Sequence, residues 1–444
     1  LSIMMHLPPK EFAGRRSEFM RRMGEGTAAV LPAARETVRN RDVHHPFRQD
    51  SDFQYLCGFP EPDAVLVLIP GREDGSFILF CRECDPKQEI WTGRRAGPGG
   101  AVEQYGADQA FPLSQLDAKM PALLSGCSGV YCSLGQGTEF AARFLGWLEK
   151  IRAGVRAGQR VPASLLAVEE VLHEMRLIKS EAELMLMREA GAISARAHCH
   201  AMEVCRPGLH EYDLEAALRQ VFLGAGARHT AYEPIVGSGA NACVLHYTAN
   251  DAPLREGDLV LIDAGCEVDC YAADISRTFP VNGRFRAEQR DLHDLVCTAQ
   301  AKAIAAARPG STFQDVHDAA VRCLTHGLRD LGLLQGEVDG LLETGAFRRF
   351  YMHRTSHWLG MDVHDVGRSQ EGKQSRALEP GMTMTVEPGL YIRPDDEQVE
   401  ARWRGIGIRV EDDVLITGGA AEIISDGVSR TAAEVEEWMA AAQR

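Results

Sequence analysis

The order of apolar runs predicts an α+β protein in two parts. A smaller α/β domain spans residues 1–175, and a larger domain over 176–444 combines a curved antiparallel sheet with flanking helices. Three observations carry this expectation. A chain of 444 residues is longer than one hydrophobic core usually supports. The stretch "RAGVRAGQRVPAS" at 152–164 is poor in apolar residues and rich in Gly and Arg, which puts a domain boundary near it. Beyond 205, strands are grouped apart from helices, and helices followed by strands recur twice.

In the first part, "DAVLVLIP" and "GSFILFCR" read as strands joined by the hairpin-like "GREDG". A short strand "GVYCSL" and an amphipathic helix "TEFAARFLGWLEKI" follow. A long helical pattern covers about 164–205; Lys179-Ser180 interrupts it, and Ser180 and Glu183 form a capping box. Next come the helix "EYDLEAALRQVFLGAG" and the strands "PIVGSG", "CVLHY", "DLVLIDAG" and "AADISRTF". Two helices, "AEQRDLHDLVCTAQAKAIAAA" and "TFQDVHDAAVRCLTHGLRDLG", precede the strands "MTMTVEPGLYI" and "GIGIRVEDDVLIT".

Composition excludes several classes. The 48 Lys+Arg against 63 Asp+Glu give a net charge of -15, which argues against nucleic acid and anionic membrane as partners. No apolar segment approaches the ~20 residues that span a bilayer, and the start lacks a signal-peptide core, so a cytoplasmic location is expected. Of 12 scattered cysteines only Cys81 and Cys84 make a C-x-x-C, without a second pair for zinc; reduced thiols are the simpler reading.

The chemistry lies in misplaced carboxylates. Asp263 ends the apolar run Leu259-Val260-Leu261-Ile262, and Asp274 stands in the next strand-like segment. A bare carboxylate in such a run costs several kcal/mol unless it is paired or binds a metal. A turn centred near Val268 would set the two directly opposite, with Cβ atoms ~5 Å apart. Two divalent cations ~3.5–4 Å apart would then hold both ionised. Alternation sets Thr383, Thr385 and Glu387 on the face opposite Met382, Met384 and Val386, and Pro388 ends the ladder. It likewise sets Arg409 and Glu411 opposite Ile406, Ile408 and Val410. Taken singly, each acid could equally be a turn cap or a solvated strand end.

Four histidines, His246, His353, His357 and His364, supply nitrogen donors, and spacing alone does not choose among them. His353 and His357 are spaced like a helical zinc-protease pair, but Arg354 occupies the place of that motif's glutamate. Four carboxylates with one imidazole favour Mn(II), with Fe(II), Co(II), Zn(II) or Mg(II) as alternatives, and metal-assisted hydrolysis as the chemistry.

In order, "LHYTAN", "LVLIDAGCEVDCYAADISRTF", "HRTSHWLGMDVHDVG", "EPGMTMTVEPGLYI" and "GIGIRVEDD" resemble the aminopeptidase P branch of the pita-bread metallopeptidases. "RQDSDFQYLCGFPEPDAVLVLIP" and "EIWTGRRAG" extend the likeness into the first part. The resemblance implies a pita-bread catalytic domain over 176–444 and a family-type N-terminal domain over 1–175. It implies an Xaa-Pro aminopeptidase that removes the first residue from peptides with proline second. It also implies two divalent ions: Asp263 on one, His357 and Glu387 on the other, and Asp274 and Glu411 bridging, with a hydroxide shared between them. Glu387 would accept the proton and His364 would stabilise the tetrahedral intermediate. His246 and His353 would line the proline pocket, with Tyr391 and Arg409 ordering its wall. The partners expected are proline-containing peptides and further copies of the chain, as a dimer or tetramer.

Arg354 departs from the family, which usually has a small glycine-like residue there, and this bears on substrate access. Asp52, Trp91 and Arg156 match rim residues that often act from a neighbouring subunit. The alternatives are a prolidase, which cuts only Xaa-Pro dipeptides, and a metal-free binding or amidinohydrolase relative, which would have replaced ligands. A methionine aminopeptidase fits less well because a long N-terminal part precedes the catalytic half.

Overall fold

The computed structural model describes residues 6–133 and 138–442. Its contacts divide the chain into two units, Leu7–Met175 and Arg176–Arg444. In the first, six strands form a mixed sheet in the order Gln109–Pro112, Phe77–Cys81, Val65–Leu68, Thr27–Pro32, Gly129–Cys132 and Ser164–Ala167. The expected hairpin is present, with Val65–Leu68 antiparallel to Phe77–Cys81. Ser164–Ala167 is a strand at the end of this sheet rather than the start of a helix. Pairing with Gly129–Cys132 satisfies its backbone and overrides its helical propensity.

The second unit repeats one plan. Helices α1 (Glu181–Val204) and α2 (Glu211–Gly224) precede strands β1 (Ile235–Ser238), β2 (Leu259–Asp263), β3 (Cys266–Val268), β4 (Tyr271–Ala272) and β5 (Ser276–Pro280). Helices α3 (Ala287–Ala306) and α4 (Phe313–Asp330) precede β6 (Thr383–Val386), β7 (Gly389–Ile392), β8 (Ile406–Arg409) and β9 (Asp412–Leu415). Every pairing among these strands is antiparallel. The sheet is broken into short pieces because Pro388 and the Val410-Glu411 step interrupt the ladders. The capping box at the start of α1 is formed, with Ser180 accepting from the Glu183 amide.

Alternation assigns the faces as read. Met382, Met384 and Val386 bury against Ala303 of α3 and Val316 of α4, while Ile406, Ile408 and Val410 join Leu292, Val296 and Leu324. Each such apolar side chain contributes roughly 1.5–3 kcal/mol. With that face taken by the helices, Thr385, Glu387, Arg409 and Glu411 are turned to the opposite side. Arg409 and Glu411 are 4% and 2% exposed, which rules out a solvated edge for them.

Candidate metal centre

The hairpin that carries two of the acids differs in register from the expectation. Asp263 pairs with Ser276, and the turn lies at Asp269 and Cys270, both with positive φ. Asp274 is therefore a diagonal rather than a direct neighbour of Asp263. A shift of two residues keeps both side chains on one face, so convergence survives the change. Gly265 makes the crossing possible, because a Cβ there would meet the Ala273 carbonyl oxygen at 1.8 Å. The Tyr232 hydroxyl lies 2.5 Å from an oxygen of each aspartate.

A second pair of elements brings the remaining candidates. Residues 355–359 run antiparallel to β6: the Glu387 amide donates to the Thr355 carbonyl at 2.9 Å, the Thr385 amide to the His357 carbonyl at 3.0 Å, and the Leu359 amide to the Thr383 carbonyl at 3.1 Å. His357 thus lies on extended chain and His353 in a bend just before it, and neither is on a helix. His357 Nε2 is 3.5 Å from Asp274 Oδ2 and 3.6 Å from Glu387 Oε1. Its Nδ1 is 2.8 Å from the Trp358 carbonyl, which fixes Nδ1 as the protonated nitrogen and leaves Nε2 to bind. The two halves of the unit meet where the Ser276 hydroxyl donates to Glu411 at 2.7 Å and the Glu411 amide to the Ser276 carbonyl at 3.0 Å.

Ligand atoms of Asp274, His357 and Glu411 all lie within 4.8 Å of one another, with Asp263 and Glu387 adjoining. Burial pushes Asp263 up to about 6 despite Arg409, and Glu387 up to about 7. Glu411 is raised further by burial and then by Asp274 and Glu387. His357 is raised to about 9, since Asp274 and Glu387 outweigh burial. Three of the four acids are hindered in their ionisation, while Asp274 is held below its ordinary value because the hydrogen bond and charge of His357 outweigh burial; the proton drawn onto that imidazole marks a place for cationic charge. Hard oxygen donors with one nitrogen suit divalent cations.

One wall continues from the acids. Arg409 donates to Asp263 at 2.6 Å, to the Ser276 hydroxyl at 2.9 Å and to the Tyr391 hydroxyl at 3.0 Å. Tyr391 in turn contacts His353 Nε2 at 2.9 Å. Burial and then Arg409 hold His353 down at about 3, so it is neutral. The His364 ring stands 4.3 Å from that of His357, edge to face, and is held neutral by burial and His357. His246 is exposed. It lies in a 3-10 turn and loop after Ser238, and the expected strand "CVLHY" is absent; Asn241 through Val244 close a turn instead.

Several contributors escaped the sequence reading. Tyr232 sits alone in "TAYEP" with no pattern to mark it. Asp413, which accepts the Asp274 amide at 3.1 Å, was open to notice as the third acid of "VEDD". Asp365 is clamped by Arg176 at 2.6 Å and Lys179 at 2.9 Å, and its amide reaches the same Trp358 carbonyl that orients His357. Arg354 has no positive φ and donates to Gln314 at 3.1 Å, so its backbone needs no glycine. In the N-terminal unit Asp52 is buried beside His173 at 3.1 Å, whereas Trp91 is 85% exposed and Arg156 is exposed.

Residues 185–418 match the model of metallopeptidase family M24, and residues 12–131 that of the aminopeptidase P N-terminal domain. The chain belongs to metallopeptidase family M24. The Xaa-Pro aminopeptidase of Escherichia coli is 46% identical over 442 residues, covering 99% of this chain and all of that one. A solved Pseudomonas aeruginosa aminopeptidase superposes with TM-score 0.98 at 53% identity, and a zinc-substituted E. coli aminopeptidase P in complex with product with 0.96 at 46%. Each structural match covers 99% of this chain and 100% of the other. The M24 chain thus has the α+β, pita-bread architecture of aminopeptidase P and is a metal-dependent peptidase. No helix of its described residues is long and apolar enough to cross a membrane.

Proposed function

We propose that this M24 chain is an Xaa-Pro aminopeptidase whose catalytic domain is 176–444, preceded by an N-terminal domain over 1–175. Asp263, Asp274, His357, Glu387 and Glu411 would hold two divalent cations, Mn(II) by preference, with Asp274 and Glu411 serving both. The convergence of buried Asp263, Asp274 and Glu411 and part-buried Glu387 about one imidazole carries this reading. When bound, the cations polarise the scissile carbonyl and lower the pKa of an attacking water.

The chain's own groups supply the rest. Glu387 takes the proton of the attacking water and returns it to the departing proline nitrogen, which has no hydrogen of its own in the peptide. His364, a neutral donor beside His357, hydrogen-bonds the oxyanion as it develops. His246 and His353 flank the proline ring, and Tyr391 and Arg409 fix the His353 side of the pocket. A rigid wall of rings converts the fixed proline φ into recognition. The free amine of the substrate is held near the cations, which confines cleavage to the first residue.

A cytoplasmic location belongs to the same reading, one in which the scattered cysteines stay reduced. A homo-oligomer is part of the same reading, and sedimentation measures its size. The deciding assay compares a tripeptide carrying proline second with the matching dipeptide, each with added Mn(II). Release of the first residue from the tripeptide is expected. Cleavage of the dipeptide alone would make the chain a prolidase, and activity without any divalent metal would defeat both peptidase readings.

A further inference from the structure

The loop that carries His246 has almost no regular structure, yet it must present that ring to the pocket. From Ser238 to Ala252 it contains one 3-10 turn, Gly239–Cys243, and then unpaired chain. Its order comes from outside: Asn250 ties its end to Pro234, Glu215 and Val236, and its beginning, middle and end are held by Glu211, the first residue of α2, whose side chain is wholly buried.

Five donors converge on this one carboxylate. Oε1 accepts from the Ser238 amide at 2.6 Å, the Ser238 hydroxyl at 2.9 Å and Asn241 Nδ2 at 3.1 Å. Oε2 accepts from the Tyr247 hydroxyl at 2.8 Å and the Ala252 amide at 2.9 Å. All five belong to the loop, at its beginning, middle and end. A buried charge is retained at a desolvation cost of several kcal/mol, so its use here is positional rather than stabilising. The carboxylate stands at the start of α2, where the helix dipole favours negative charge.

The loop so held is pressed against the pocket wall. A Cβ at Gly407 would meet the Ala242 carbonyl oxygen at 2.2 Å, so the absence of a side chain on β8 admits the 3-10 turn. Cys243 Sγ reaches the Ile392 carbonyl at 3.4 Å, and Leu245 and Tyr247 pack with Ile235, Leu261 and Tyr391. His246 lies between residues anchored to Tyr391 on one side and to Glu211 on the other.

We infer that Glu211 is a positioning residue for substrate recognition: its carboxylate fixes the 238–252 loop so that His246 closes the pocket opposite Tyr391. This rests on the assignment of His246 and Tyr391 to the proline pocket. The contribution belongs to substrate binding, because none of its contacts reaches the acids of the metal centre.

The test uses the metal-loaded full chain with Glu211→Gln and Tyr247→Phe. The first turns one acceptor oxygen into a donor; the second removes the Tyr247 hydroxyl, which lies 2.8 Å from Glu211 and 3.4 Å from Asp251, and leaves the core filled. Glu211→Gln should raise KM for the proline tripeptide about tenfold, with kcat within about threefold. Metal content per chain should be unchanged. Amide hydrogen exchange should quicken within 238–252 and nowhere else, and Tyr247→Phe should shift KM and exchange the same way by less. Unchanged exchange in the loop, or faster exchange with unchanged KM, would overturn the proposal; so would faster exchange across the whole chain. Should Glu211→Gln fail to fold, Tyr247→Phe decides alone. If the wild-type chain cleaves no proline peptide, the functional reading fails, and exchange in the loop still decides whether Glu211 holds it.

Discussion

Arg409 shows how much one side chain can carry. Its guanidinium joins Asp263, Ser276 and Tyr391, so one planar fork ties a metal-site acid to the pocket wall. A lysine has one point of charge in place of that fork. Arg409→Lys should therefore lower kcat/KM by about ten- to a hundredfold while the chain stays folded, as steady-state kinetics beside circular dichroism will show. Asp274 lies between His357 and the Tyr232 hydroxyl with its amide on Asp413. Asp274→Asn removes a charge from the proposed metal centre and should reduce turnover by at least about a thousandfold, with metal per chain falling in parallel by elemental analysis. Near-normal turnover would show that Asp274 does not bridge. The residue types of this site were legible in the sequence because acids interrupt apolar strands. Tyr232 was not, since a tyrosine between loop residues has no periodicity to break.

At the scale of elements, the hairpin β2–β5 depends on the close approach at Gly265, where the chain passes against the Ala273 carbonyl. Gly265→Ala should destabilise the protein by about 1–3 kcal/mol and weaken metal binding together, measured by urea unfolding and metal titration. Loss of stability with intact metal affinity would mean that the crossing does not set the acids. Asp412 is a second keystone: wholly buried, it accepts from Arg277 at 2.8 Å, Arg430 at 2.7 Å and Gln300 at 2.9 Å. Asp412→Ala strands buried Arg277 without its partner and should cost about 3–5 kcal/mol by the same unfolding measurement. Strand faces were legible because alternation alone fixes them. The hairpin register was not, because it follows from a turn at Asp269-Cys270, two residues that carry no usual turn signature, and from tertiary packing around it.

For the whole molecule, the metal centre couples stability to pH. In the metal-free fold Glu387 is pushed up to about 7 and His357 up to about 9, with Glu411 raised as well. Between about pH 6.5 and 9 the unfolded chain gives up the imidazole proton while folded His357 keeps it, and folded Glu387 gives up its own near pH 7, so stability falls as pH rises. The buried histidines His198 and His293, held at about 4, are neutral in both states there and add no slope. Thermal unfolding of chelator-stripped protein should give a lower midpoint at about pH 9 than at about pH 7, and saturating Mn(II) should abolish the difference. A metal-free midpoint that holds or rises between those values would contradict the charge balance described for the site.

The sequence by itself determined the architecture class, the face each strand turns inward, and the set of acids and imidazoles available, because periodicity and an interrupted apolar run are local properties of the chain. Tertiary structure alone decided the diagonal meeting of Asp263 with Asp274, the place of the Tyr232 hydroxyl between them, and the dependence of the His246 loop on Glu211. These rest on contacts between segments far apart in sequence, where no local spacing records which backbone will approach which.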